Sequence, residues 1–216
     1  MAALDGCQRN RNKERNDGHK VTTGATMSLD GFIADADHGG FDYLFKWYGA
    51  GDVEVPTGHP DLTIKVSAAS AEYLRRLNER LGALVVGRRL YDMTNGWGGR
   101  HPLGLTTVVV THQRPNDRPE DDENFVFVTT GIEDAVAKAR EIADDKDVGV
   151  NGGEIARQCF DAGLLDEVHV DLVPVFLGSG IPLLGMIKDA PVELDGPISV
   201  TEGKGVTHLG YRVVRK

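Results

Sequence analysis

The 216-residue sequence predicts an α/β protein built on a mixed, mostly parallel sheet flanked by helices, and three features carry that expectation. Short apolar runs rich in β-branched residues recur at 83–86, 106–110, 125–128 and 148–150, the length and composition of buried strands. Between them lie segments with helical spacing at 67–81, 132–143 and 154–162. Strands that alternate with helices are joined by crossovers, and crossovers make parallel pairs. After residue 167 the pattern changes: 191–200 and 206–214 read as an antiparallel strand pair closing the chain.

The totals narrow the function classes. No apolar stretch approaches the roughly 20 residues that cross a bilayer, and the N-terminus lacks the apolar centre of a secretory signal, so a cytoplasmic protein without a membrane partner is expected. A net charge of −9 argues against a nucleic-acid partner, which needs a basic surface. Any anion site must therefore be local. The two cysteines, Cys7 and Cys159, fall in a polar tail and inside a helix, which fits a reducing compartment and no disulfide. The seven histidines show no ligand spacing, and no metal is expected.

Taken in order, residues 1–19 are polar and nearly free of apolar side chains, so they read as a disordered tail, with one folded domain over 20–216. A first strand at 21–27 leads into Ser28-Leu29-Asp30-Gly31, where Asp-Gly marks a sharp turn. Asp30 is either a turn aspartate or a group beside a ligand. Residues 35–60 are irregular and carry Phe41, Tyr43, Phe45, Trp47 and Tyr48. Such a cluster serves as a lid, a short helix packed on the body or a subunit contact, and Trp47 could cover a flat ligand.

Ser67 or Ser70 then caps a helix whose stripe of Tyr73, Leu74, Leu77 and Leu81 is assigned to the core. The strand at 83–86 ends in Gly87-Arg88-Arg89. Arginine at the start of a helix opposes its dipole, so the pair is better explained by an anionic partner than by helix energetics. The strand at 106–110 ends in Thr111-His112-Gln113. The helix at 132–143 turns Ile132, Val136 and Ala139 inward. The strand at 148–150 then runs through Asn151-Gly152-Gly153 into the helix opened by Glu154 and Ile155, a turn that aims backbone N–H groups and a helix dipole at one spot. In the next strand Val168, Val170 and Leu172 alternate with His169 and Asp171, and His169 reads as a hydrogen-bonded sheet histidine.

Parallel sheets bind ligands beyond the carboxyl ends of their strands, and three candidate contacts sit there: Gly87-Arg88-Arg89, Thr111-His112-Gln113 and Asn151-Gly152-Gly153. The chain lacks a G-x-S-x-G elbow, a Walker loop and the H-x-E with P-C-x-x-C of zinc deaminases. Several anion contacts with few acid–base groups suit a reductase, in which the cofactor brings the reactive atom.

Thr26-Met27-Ser28-Leu29-Asp30-Gly31-Phe32-Ile33-Ala34, Val85-Val86-Gly87-Arg88, and the stretch from Asn151-Gly152-Gly153-Glu154-Ile155 through Leu165-Asp166-Glu167-Val168 to Pro174-Val175-Phe176-Leu177-Gly178 resemble the C-terminal reductase domain of bifunctional riboflavin-biosynthesis deaminase/reductases. That domain has a dihydrofolate-reductase-like fold. The resemblance covers residues 20–214 and implies a three-layer domain, a homodimer and NADPH lying across the strand ends. It implies cofactor contacts from Ala25, Gly87, Arg88, Arg89, Thr111, His112, Gln113, Gly152, Gly153, Glu154 and Ile155, with Arg88 and Arg89 toward the 2′-phosphate. It places Met27, Asp30 and Asn151 near substrate, and makes Asp30 the favoured proton donor. The expected function is an NADPH-dependent reduction of a small pteridine- or pyrimidine-like heterocycle. A dimeric nucleotide-binding sensor without turnover is the alternative on the same fold.

Overall fold

The structure, a computed structural model, describes residues 20–59, 62–116, 118–119 and 122–214. The expected tail over 1–19, with Cys7, lies outside the described residues. Eight strands form the central sheet: β1 (Val21–Ser28), β5 (Leu81–Gly87), β6 (Thr107–Val110), β7 (Phe125–Val128), β8 (Asp147–Asn151), β9 (Glu167–Val173), β11 (Leu194–Gly203) and β12 (Val206–Val213). Their order across the sheet is β11-β12-β9-β1-β8-β5-β6-β7. The pairings from β9 through β7 are parallel, while β12 and β11 join antiparallel. The mixed sheet matches the expectation from the alternation of elements. Among the described residues no helix is long and apolar enough to cross a membrane.

One face of the sheet is dry. Val21, Val85, Val148, Val150, Val168 and Val170 pack against α4 (Ile132–Ala143) and α5 (Glu154–Asp161). The helical side of this contact is built from small residues: Ala135, Val136, Ala139 and Ala156 are all at most 1% exposed. Small side chains let helix and sheet approach closely, and contact at that density gains dispersion energy all along the helix. Gly82 is part of the same fit, because a Cβ there would stand 2.6 Å from the Ala143 carbonyl oxygen.

The opposite face is covered by α2 (Ala68–Arg80) and by smaller elements that the sequence left as irregular chain. Residues 41–49 form the short helix α1 (Phe41–Leu44) and a 3-10 turn, and β3 (Val53–Pro56) pairs with β4 (Thr63–Val66). Val55, Ile64 and Val66 bury against Leu44 and Trp47 in a second apolar cluster. The alternation Val53-Glu54-Val55 and Ile64-Lys65-Val66 was present in the sequence, but four-residue strands within Gly- and Asp-rich chain give a weak signal. A further pair, β2 (Phe32–Asp35) with β10 (Gly180–Pro182), lies over the start of α5. Ser67, not Ser70, caps α2: its hydroxyl oxygen accepts from the Ser70 amide at 3.3 Å. The helix ends at Arg80 and Leu81 enters β5 directly, with no loop between them.

Candidate active site

The two faces differ because the strands alternate. On β9 the dry-face residues are Val168, Val170 and Leu172, whereas Glu167, His169 and Asp171 point the other way, toward α2. On β8, Gly149 and Asn151 share that second face, and on β1 so do Thr22, Gly24 and Thr26. Many of these polar residues are buried: Glu167 is 3% exposed, His169 6% and Thr26 5%. Burying polar groups costs free energy unless each finds a partner. Here the partners are one another and a ligand-sized space.

That space is a cavity of about 1140 Å³ between the sheet and α2. The stripe Tyr73, Leu74, Leu77 and Leu81, assigned to the core from its spacing, is a wall of this cavity. Tyr73, Leu74 and Leu77 are only half-buried. Leu81 is buried and Leu74 also packs on the second apolar cluster, as a core stripe should, whereas Tyr73 and Leu77 face the cavity; periodicity shows that a helix has an apolar face but not whether protein or ligand covers it.

The mouth of the cavity runs along the carboxyl ends of β8, β5 and β6. The junctions 87–89, 111–113 and 151–155 all border it, as does Ala25. They are physically joined. The Asn151 Oδ1 accepts from the Gly87 amide at 3.1 Å, and its Nδ2 donates to the Gly152 carbonyl at 2.8 Å. Both ends of the Asn151 amide are thus engaged with backbone, and its side chain braces two strand ends as well as facing the cavity. A Cβ on Gly87 would stand 3.2 Å from Ile155, which brings the β5 and β8 turns into contact. Gly153, at φ 78°, adopts the left-handed backbone that favours glycine and donates its amide to the Leu183 carbonyl. The first-turn amides of α5 remain beyond it, since the opening N–H groups of a helix have no intrahelical acceptor. Glu154 is folded back along its helix, held by Arg157 and Gln158, and the Arg157 contact lowers its pKa.

The two arginines at this mouth open the short helix α3 (Arg88–Met93), and they differ. Arg88 donates to Asp92 at 2.7 Å and to the Gln113 carbonyl at 2.9 Å, so it ties the second junction to the first. Arg89 is exposed and meets the His38 ring across the opening. His101, another lining residue, has its pKa depressed by burial to about 4 and is neutral at physiological pH. Arg88 and Arg89 are the lysine and arginine side chains among the described residues of the mouth.

The inner end, under β1 and β9, holds residues that sequence reasoning did not place in a site. Asp171 borders the cavity, and its Oδ1 accepts from His208 Nδ1 at 2.6 Å. His208, 1% exposed, reaches Ser70 Oγ through Nε2 at 2.9 Å, and Ser67 donates to Ser70 at 3.1 Å. Tyr73 stacks on His208 with centroids 4.1 Å apart, beside Asp171. Burial, with Asp171 alongside, pushes the Tyr48 and Tyr73 hydroxyls above the usual phenol range, so both stay protonated. Beneath them, Arg80 bridges Asp147 (2.7 Å) and Glu167 (2.9 Å), Lys20 lies 3.2 Å from Glu167, and His169 Nε2 is 3.1 Å from the same carboxylate. Burial works against ionisation of Glu167, but hydrogen bonds from His169, Arg80 and Lys20 outweigh it and hold the carboxyl well below its usual range.

Three expected substrate residues stand elsewhere. Asp30 does not border the cavity: its Oδ1 accepts from the Ser28 hydroxyl at 2.6 Å and the Leu177 amide at 3.1 Å, and its Oδ2 from the Gly178 amide at 2.7 Å. These bonds, the Ser28 one foremost, lower its pKa, so it is a turn aspartate that stays ionised and a poor proton donor. Met27 is absent from the wall because its strand position turns it to the dry face. Trp47 is 2% exposed and packs in the second apolar cluster, edge-on to Tyr48 and His208. Of the three roles open to the aromatic stretch, the structure shows a short packed helix, with Phe41, Phe45 and Tyr48 turned to the cavity.

Comparison with known proteins agrees with this architecture. The RibD C-terminal domain family matches residues 19–196. Among solved structures, a putative riboflavin biosynthesis protein from Shewanella sp. PV-4 superposes with TM-score 0.69 at 21% identity, covering 91% of this chain and 99% of that one. A diaminohydroxyphosphoribosylaminopyrimidine deaminase/5-amino-6-(5-phosphoribosylamino)uracil reductase from Thermotoga maritima gives 0.57 at 16% identity, with 91% of this chain and 57% of that one covered. Dihydrofolate reductase from Enterococcus faecalis, complexed with NADP(H) and a ligand named RAB-propyl, gives 0.51 at 17%, covering 91% and 97%. The chain belongs to the RibD C-terminal domain family, an oxidoreductase on a dihydrofolate-reductase-like fold.

Proposed function

We propose that the protein is an NADPH-dependent reductase of a small heterocycle, with the nucleotide in the mouth of the cavity and the acceptor at its inner end. The observation that carries this reading is the single cavity that joins the three strand-end junctions to the buried polar floor under β9. Its volume of about 1140 Å³ stands at the upper end of small-molecule sites, room for more than one ligand. A protein that only held a nucleotide would have no use for the second half.

The residues of the mouth fit the cofactor. The α5 start offers free amides and a dipole to a pyrophosphate. Arg89, with Arg88 holding Thr111, His112 and Gln113 in place, suits a 2′-phosphate. When bound, the reduced nicotinamide would supply a hydride. The chain's own part is to orient both ligands against Ala25 and Gly152 and to exclude water with Phe41, Phe45 and Tyr48. The resemblance also implies a homodimer. The outermost strand β11, whose Leu194, Ile198 and Val200 are exposed, offers an apolar edge for it.

Calorimetric titration with NADPH and NADH tests the reading. NADPH should bind at least tenfold more tightly, a difference of about 1.4 kcal/mol. Arg89→Ala should remove most of that preference, while Arg88→Ala should weaken both nucleotides by loosening the 111–113 junction. Absence of binding by either nucleotide would overturn the assignment.

A further inference from the structure

The inner end of the cavity has a definite charge, and that charge selects among acceptors. This step rests on the reductase reading and concerns the other half of the same cavity. Among the lining residues the lysine and arginine side chains are Arg88 and Arg89, both at the mouth. They follow β5, three strands from β9, which sets them about 14 Å or more from Asp171. Arg80 and Lys20, under the floor, are matched against Asp147 and Glu167. Among the described residues no other lysine or arginine borders the inner end.

Asp171 is held in a fixed orientation at this end. His208 spans from Asp171 Oδ1 to Ser70 Oγ, with Nδ1 at 2.6 Å and Nε2 at 2.9 Å. The Tyr73 ring stacks on His208, and its hydroxyl, which stays protonated, lies beside Asp171. The other titratable groups around this end are Tyr48, which stays protonated, and His169, whose Nε2 is turned to Glu167. A carboxylate has about four lone-pair sites, so Asp171 retains capacity to accept from a ligand. Around it stand flat, apolar walls: Phe45 and Tyr48 with centroids 5.1 Å apart, Tyr73, and Leu77.

We propose that the acceptor is a flat, unphosphorylated nitrogen heterocycle that offers N–H donors and positive charge to Asp171. A phosphoribosyl group, such as the one in the name of the Thermotoga enzyme's substrate, would bring negative charge to an end that holds a carboxylate and, among its described lining residues, no lysine or arginine. An N–C–N edge bearing two N–H groups matches the carboxylate in a bidentate pair. The aromatic walls suit its ring faces.

The test uses the full chain, with and without saturating NADPH, and reads binding by calorimetry. The probes are 2-aminobenzimidazole, flat with a basic N–C–N edge, and uridine 5′-monophosphate, a pyrimidine that carries a phosphate. The expected result is at least tenfold tighter binding of 2-aminobenzimidazole, and at least a tenfold loss of that binding in Asp171→Asn. NADPH titrated into the same variant reports whether the mouth is intact. If Asp171→Asn does not fold, the ranking of the two probes in the unaltered protein decides. Tighter binding of uridine monophosphate, or of 5-amino-6-(5-phosphoribosylamino)uracil itself, would overturn the proposal while leaving the NADPH reading standing. Equal binding of 2-aminobenzimidazole by Asp171→Asn would overturn it as well. Loss of NADPH binding in the unaltered protein would instead count against the reductase reading.

Discussion

The two faces of the central sheet are made from the same strands, yet they are stabilised by different means. On the α4 and α5 side, valines meet alanines and the contact is dry. On the α2 side, the alternate residues of those strands are Glu167, His169, Asp171, Asp147 and Asn151, tied by ion pairs and hydrogen bonds around a cavity. An apolar face closes by packing, whereas a polar buried face remains hollow until a ligand fills it. The difference between the two helices that cover these faces follows from side-chain size. Ala135, Val136 and Ala139 of α4 sit down on the sheet, while Tyr73, Leu74 and Leu77 of α2 stand away from it.

The largest effect that should separate the faces comes from Glu167. Replacing it by Gln leaves Arg80 and Lys20 facing a neutral amide; because Arg80 is 40% exposed and keeps Asp147, solvent screens part of the loss, which should be about 1.5–3 kcal/mol. Denaturation at pH 7 measures it. The pKa of Glu167 is depressed in the folded protein, so its contribution is present above the ordinary carboxylate range and is lost as pH falls toward the depressed value. The gap between the two proteins should therefore narrow in acid. A gap independent of pH would mean that the carboxylate contributes by shape alone.

Packing substitutions sharpen the contrast further. Ala139→Leu forces three extra carbons into the dry face and should cost about 1–3 kcal/mol. Leu77→Ala removes a half-buried side chain facing the cavity and should cost about 1 kcal/mol, because little packing surrounds it. Thermal denaturation of both variants checks the order. Equal losses would mean that α2 is packed as tightly as α4.

Much of this was legible in the sequence. Val168-His169-Val170-Asp171-Leu172 announces a strand with two unlike faces, and Gly87, Thr111 and Gly152 at strand ends mark the mouth of the cavity. The inner end was not legible. Asp171 and His208 lie 37 residues apart and meet because β12 pairs with β9 in a register that sets them opposite each other. Arg80 and Glu167 are 87 residues apart. Register between distant strands is set by the whole sheet, and no local pattern encodes it. Asp30 shows the same effect: a residue plausible by resemblance is occupied by one local hydrogen bond, from Ser28, and by two from amides 147 and 148 residues away, which no local pattern announces.

The most direct measurement is a crystal structure of the full chain grown with NADPH. The account predicts the dinucleotide along the carboxyl ends of β8, β5 and β6, with its 2′-phosphate at Arg89, its pyrophosphate at the first turn of α5, and the space beside Asp171 still open. A nucleotide seated against Asp171, or bound outside the cavity, would contradict it.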